Sequence, residues 1–236
     1  MFHTAHRPET RSSRTRRLLI AAIALMSLLV FVPVAMRIKA SMRQTPKIVM
    51  VGDSYSTISP KRDCLKPWPE RVSEALGIQS DNCTIYRHDG YGFGRPDRRF
   101  VQLLEDAERD PTVTDVLIVG GAGNDRDLSK EELLKWYRIT IEQLRQLYPN
   151  ATIMHTITSW DINDASYRAK IVEHIPWYKL EAKRLGVVYL HGCAKTIRDH
   201  PEWFCADGRH PNDAGQEAMS KVIAEKIRRY NERYAE

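Results

Sequence analysis

From residue 47 onward, short apolar runs alternate with longer stretches in which apolar residues recur at helical spacing. Lys47–Val51 (KIVMV) and Asp115–Val119 (DVLIV) are continuous apolar runs of strand length, the pattern of strands covered on both faces. Thr84–Tyr86, Ala151–Ile157 and Val187–Leu190 predict three further strands. Between them, Pro69–Leu76 predicts a short helix with Gly77 as its C-terminal stop, and Arg98–Glu108 a second. Ser129-Lys-Glu-Glu132 has the spacing of a capping box. It opens a helix to Leu147 whose Leu133, Tyr137, Ile141, Leu144 and Tyr148 share one face. A helix over Arg168–Leu185 is expected to be interrupted near Pro176, since proline has no N–H to donate. Asn212 caps a last helix, in which Met219, Ile223, Ile227 and Tyr230 recur at helical spacing. Strands alternating with helices in this way predict a three-layer α/β/α domain around a parallel sheet.

The front of the chain breaks the pattern. Leu18–Met36 is an uncharged run of 19 residues, about the length that crosses a ~30 Å hydrocarbon core as a helix. Arg11, Arg14, Arg16 and Arg17 precede it, the flank that stays on the cytoplasmic side. The run exceeds the apolar stretch of ordinary signal peptides, and no clean small-x-small cleavage site follows it. The expected organisation is a basic cytoplasmic tail (1–17), a transmembrane anchor (18–36) and a linker (37–46). A catalytic body (47–236) would then lie outside the cytoplasm, periplasmic or extracellular. Cleavage of the segment as a signal peptide would instead release that body.

Charge follows the same division. The whole chain carries a formal +6. Arg7, Arg11, Arg14, Arg16, Arg17, Arg37 and Lys39 against Glu9 already supply all of it, so the body is balanced. The basic character is a topology signal and gives no support for a nucleic-acid partner. Cys64, Cys83, Cys193 and Cys205 all fall in the body and match no metal-ligand spacing. An even number of cysteines in an exported domain predicts two disulfides. Sequence proximity favours Cys64–Cys83 and Cys193–Cys205, while four cysteines allow three pairings.

Three motifs carry chemistry. Gly52-Asp53-Ser54 follows the first strand, Asn124-Asp125 follows the third, and Asp207-Gly208-Arg209-His210-Pro211 precedes the last helix. A serine hydroxyl needs a base to take its proton, and His210 has the intrinsic pKa for it. Asp207, three residues earlier, is placed to fix the imidazole tautomer. Asn124 supplies an amide for the oxygen charge of a tetrahedral intermediate. This is the apparatus of acyl transfer through a serine, and it calls for no cofactor and no metal.

These blocks, in this order, resemble the SGNH (GDSL-type) hydrolase family over roughly Lys47 to Ile227. The first departs from the family motif only at its fourth place, where Tyr55 stands for leucine, a position read as outside the chemistry. The resemblance implies a flavodoxin-like fold and a glycine donor after the second strand. Gly90 in His88-Asp89-Gly90-Tyr91-Gly92-Phe93-Gly94 is the choice, with Gly92 the alternative. The third block, Gly-x-Asn-Asp in the family, here reads Ala122-Gly123-Asn124-Asp125, its first glycine replaced by alanine. The implied triad is Ser54, His210 and Asp207. The oxyanion hole is formed by the Ser54 and Gly90 N–H groups and the Asn124 amide.

Other residues receive quieter readings. Asp53 braces the turn under Ser54, and Asp125 holds Asn124. His155 is an interior histidine, and His200, which lacks an acid three residues before it, belongs to a loop. Arg95, Arg98 and Arg99 form a solvated basic face, with an anionic substrate as the alternative. Trp160, Trp177 and Trp203 are packing residues or a sugar platform. The function implied is a serine esterase removing acyl groups, O-acetyl among them, from a small molecule, envelope glycan or lipid. The alternatives are an O-acyltransferase using the same triad and a non-catalytic binding module on the same fold.

Overall fold

The computed structural model describes residues 46–60, 63–105 and 114–234. The tail, the expected membrane span at 18–36 and most of the linker lie outside them. Among the described residues no helix is long and apolar enough to cross a membrane.

Five strands form one sheet: β1 (Ile48–Gly52), β2 (Cys83–Arg87), β3 (Val116–Gly120), β4 (Thr152–Thr156) and β5 (Val188–Tyr189). All neighbours are parallel, in the order β2-β1-β3-β4-β5. The two runs that are apolar throughout, β1 and β3, are buried along their whole length at the centre. Burial on both faces is why neither shows the alternation of a half-exposed strand. Gly52 pairs with Arg87 on one side and Gly120 on the other, and Gly120 pairs with Thr156. The carboxyl ends of four strands are therefore level, and their loops emerge at one rim.

The helices are α1 (Trp68–Ala75), α2 (Gln102–Glu105), α3 (Lys130–Leu147), α4 (Ala165–Arg184), α5 (Cys193–Arg198) and α6 (Asp213–Tyr234). Helix α6 packs against α1 and α5, and α3 packs against α4. Right-handed crossovers require this grouping. The step from β1 out to β2 runs opposite to the steps β3 to β4 to β5, so their helices cover opposite faces. The chain reverses its direction across the sheet between β1 and β3, the place where open α/β sheets build their sites.

Local signals hold where predicted. Ser129 Oγ accepts from the Glu132 N–H, and Glu132 Oε2 accepts from the Ser129 N–H at 3.1 Å. Leu133, Tyr137, Ile141 and Leu144 are buried on the predicted face of α3, as are Met219, Ile223 and Ile227 of α6. Gly77 has φ +69. Its N–H donates to Glu74 and that of Ile78 to Ser73, the Schellman arrangement that ends a helix on glycine.

Residues 98–101 lie outside the helix expected over Arg98–Glu108, which begins at Gln102. Two further expectations are corrected. Helix α4 starts earlier than predicted, capped by Asp164, and runs through Pro176 without a break. Pro176 and Val172, whose carbonyl loses its partner, both lie on the exposed side, where water can take that carbonyl.

The second correction concerns the cysteines, which form no disulfide. Neighbours in sequence lie on different elements. Cys64 sits in the loop before α1 with Sγ 3.6 Å from the Thr57 carbonyl, while Cys83 opens β2. Cys193 opens α5 with Sγ 2.9 Å from Thr156 Oγ1, and Cys205 belongs to the turn that closes on His210. Burial pushes the Cys64 and Cys193 thiols up to about 11, keeping them protonated at neutral pH.

Candidate active site

β1 ends in a tight corner. Asp53 caps a single 3-10 turn over Ser54–Ser56, its carboxylate accepting from the Tyr55 N–H at 3.0 Å. Gly52 has no alternative here, because a Cβ on it would lie 1.8 Å from Ser56 Oγ. Asp53, Tyr55 and Ser56 are buried, and Ser54 is the part-exposed residue between them. The corner lifts a single hydroxyl to the rim.

The loop before α6 brings the base. Asp207 Oδ1 accepts from the N–H groups of Arg209 and His210, both at 2.9 Å. Gly208, at φ +67, makes so short a turn possible. Asp207 Oδ2 is then 2.7 Å from His210 Nδ1, and His210 Nε2 is 2.9 Å from Ser54 Oγ. Burial raises the Asp207 carboxyl, but hydrogen bonds from the His210 ring and the His210 and Arg209 N–H groups outweigh it and hold it below the usual range. An ionised acid, an imidazole and a hydroxyl thus stand in line across 156 residues of sequence.

The remaining motif residues meet them from β2 and β3. Asn124 donates from its side-chain amide to the Tyr91 carbonyl at 2.8 Å, which ties it to the glycine loop. Gly90 adopts φ +82. The Gly92 N–H is held by the Arg98 carbonyl at 3.0 Å. Ala122 stands where the family has glycine and adopts φ +139, a conformation L-residues rarely take.

Asp125 does not brace Asn124. Its carboxylate accepts from the Phe93 and Gly94 N–H groups, both at 2.8 Å, and so anchors the glycine loop. Gly92 passes directly over that carboxylate, leaving no room for a Cβ. Burial raises Asp125 to about 6 and Asp53 to about 7, each opposed by the N–H groups it accepts from.

His155 is interior as expected, enclosed by the rings of Phe93, Tyr137, Tyr178 and Tyr189, and burial lowers it to about 3. His200 lies in a loop, with Nδ1 2.9 Å from Glu202 Oε1 and its ring stacked on Trp203. Arg95 and Arg98 are exposed, whereas Arg99 lies over the Trp136 ring. Trp160 is buried and so offers no open platform, and Trp177 stacks on His174. Among the described residues no group of three or more His, Cys, Asp or Glu side chains is placed to hold a metal.

Supports that the motifs did not announce also surround the triad. Buried Asp161 pairs with Arg209 at 2.6 Å. Gln216 of α6 accepts from the Trp68 N–H and donates to the Tyr55 carbonyl, both at 2.9 Å. Arg87, at the end of β2, donates to the Ser56 carbonyl at 2.9 Å. Each joins segments far apart in the chain, so no local spacing signals it.

Known proteins resemble this chain in sequence and in fold. Residues 50–218 match the GDSL-like lipase/acylhydrolase family. A GDSL lipase of Mycobacterium tuberculosis is 25% identical over 188 residues, covering 75% of this chain and 79% of that protein. A carbohydrate esterase family 2 enzyme of Corynascus thermopiles (Myceliophthora fergusii) superposes with TM-score 0.60 at 16% identity, over 78% of this chain and 66% of that longer one. The inhibitor-bound aryl esterase of M. smegmatis superposes with TM-score 0.58 at 13% identity, over 78% and 99%. With the family's blocks in order on a shared parallel-sheet fold, the chain belongs to the GDSL-like lipase/acylhydrolases and is an SGNH hydrolase.

Proposed function

We propose that this SGNH hydrolase is a serine esterase working through an acyl-enzyme on Ser54, and that its substrate is an O-acylated, in particular O-acetylated, glycan or lipid outside the cytoplasm. The observation that carries the chemistry is the continuous relay from Asp207 Oδ2 to His210 Nδ1 (2.7 Å) and from His210 Nε2 to Ser54 Oγ (2.9 Å). As Ser54 Oγ bonds to the ester carbonyl carbon, its proton passes to His210 Nε2, and Asp207 stabilises the imidazolium. The carbonyl oxygen, now negative, is met by the Ser54 and Gly90 N–H groups and the Asn124 amide. The intermediate collapses by breaking the bond to the alcohol, which leaves with the proton from His210. Water then repeats the sequence on the acyl-enzyme and frees the acid.

Support for the glycan side comes from solved relatives described as carbohydrate esterases. Support for the location comes from the uncharged run Leu18–Met36 behind its arginines. The test uses the full chain with p-nitrophenyl esters of increasing acyl length, a fluorophosphonate probe and an acetylated glycan. Acetate should be the preferred acyl group, and Ser54→Ala should abolish both turnover and labelling. Undiminished labelling of that variant would refute the nucleophile, and preference for long acyl chains would refute the acetyl assignment.

A further inference from the structure

Tyr55 replaces the leucine of the family motif, and its hydroxyl is not idle. The side chain is 2% exposed and reaches across the rim between two other loops. Its Oη accepts from the Trp160 N–H at 2.9 Å, in the loop after β4. It also lies within donating distance of two carbonyls, that of Trp160 and, at 2.6 Å, that of Arg209. One phenol carries one proton, so the two carbonyls share it.

Arg209 is the residue bonded to His210. Its carbonyl meets Tyr55, its N–H meets Asp207 Oδ1 at 2.9 Å, and its guanidinium meets Asp161, 3% exposed, at 2.6 Å. The Tyr55 ring itself lies against the His210 ring, centroids 5.4 Å apart. The nucleophile's own neighbour in sequence therefore holds the peptide that carries the base. Leucine at this place could fill the space but could not hold that peptide.

We propose that Tyr55 is a positioning residue that sets the Ser54–His210 distance by tethering the Arg209–His210 peptide and the loop after β4 to the nucleophile turn. This rests on the proposed triad and adds to it a residue that acts through the peptide and ring of His210, not on the substrate. Small displacements of a base are steep in rate, about 10²-fold for 1 Å. Loss of the hydroxyl should therefore appear in kcat rather than in KM.

The experiment compares Ser54→Ala, Tyr55→Phe and Tyr55→Leu in the full chain with p-nitrophenyl acetate. Rates of wild type and the Tyr55 variants are normalised to active sites titrated by the fluorophosphonate, and that of Ser54→Ala to total protein. Tyr55→Phe should lower kcat per site about 10–100-fold, slow phosphonylation of Ser54 in parallel, and leave KM unchanged. Tyr55→Leu, with the family's own residue, should do no better. A purely structural role would lower the melting temperature and the number of titratable sites while leaving kcat per site intact, and that result would overturn the proposal. If Ser54→Ala keeps its activity, the triad reading fails. If Ser54→Ala is inactive and Tyr55→Phe has normal kcat per site, only the Tyr55 inference fails. Should neither Tyr55 variant fold, NMR of wild-type protein labelled at tyrosine Cζ decides. A slowly exchanging Tyr55 hydroxyl proton close to the His210 ring supports the tether, and a rapidly exchanging one overturns it.

Discussion

Asn124 has two amide protons, and one of them goes to the Tyr91 carbonyl. The bond orients the side chain, and in the proposed mechanism the second proton meets the oxyanion. Asn124→Ala should therefore lower kcat by ~10²–10³, the range for loss of one oxyanion donor, with KM little changed. Steady-state kinetics on p-nitrophenyl acetate reads this directly, and an unchanged kcat would take Asn124 out of the hole. Ala122, two residues earlier, was legible in the sequence as a departure from the family's glycine. That it would still adopt φ +139 was not. Around it, the Ala122 carbonyl accepts from the Asp125 N–H, and the buried Asp125 carboxylate lies beneath the glycine loop.

At the scale of elements, the helix through Pro176 is the clearest case of packing overriding a local signal. Tyr167, Ile171, His174, Tyr178 and Ala182 give α4 a buried face on both sides of the proline, and that burial offsets one lost backbone bond. Because Pro176 is itself exposed, Pro176→Ala should restore the bond and raise stability by about 1–3 kcal/mol, less any unfolded-state entropy the proline had removed. Urea unfolding at constant m would measure it, and a loss of stability would mean that the proline side chain packs as well as interrupts. The cysteines teach the converse. Nearness in sequence favoured two pairings, but the loop before α1 sets the Cys64 thiol against the Thr57 carbonyl, and the start of α5 sets that of Cys193 against the Thr156 hydroxyl.

For the molecule as a whole, the two carboxyls under the rim set a pH dependence. Unfolded, an aspartate loses its proton near 3.8; folded, Asp125 keeps its proton to about 6 and Asp53 to about 7. Between these limits the folded carboxyls hold protons that the unfolded chain has lost, so their contribution to stability falls as pH rises from about 4 to 7 and then levels. Buried His155, lowered to about 3, opposes it with a contribution that rises up to about pH 6.5. Each group contributes a slope of at most about 1.4 kcal/mol per pH unit. Asp207 and Asp213, held below the usual range by their partners, act in the opposite sense below about pH 4. Asp53→Asn should flatten the fall between about pH 6 and 7, as read from denaturant unfolding at several pH values. An unchanged slope would show that Asp53 is ionised in the fold.

The sequence by itself determined the elements, because a strand buried on both faces must be apolar throughout and a packed helix must repeat its apolar residues every three or four positions. It supplied the candidate chemical parts as well, since a nucleophile, a base and its acid are restricted to few residue types and sit at strand ends and helix starts. What only the tertiary structure decided are the relations between parts: which thiols face which neighbours, that Asp125 braces the glycine loop, and that Tyr55 reaches the peptide of His210. Those depend on distances between loops up to 154 residues apart in the chain. Such distances follow from strand order and register, which no local pattern encodes.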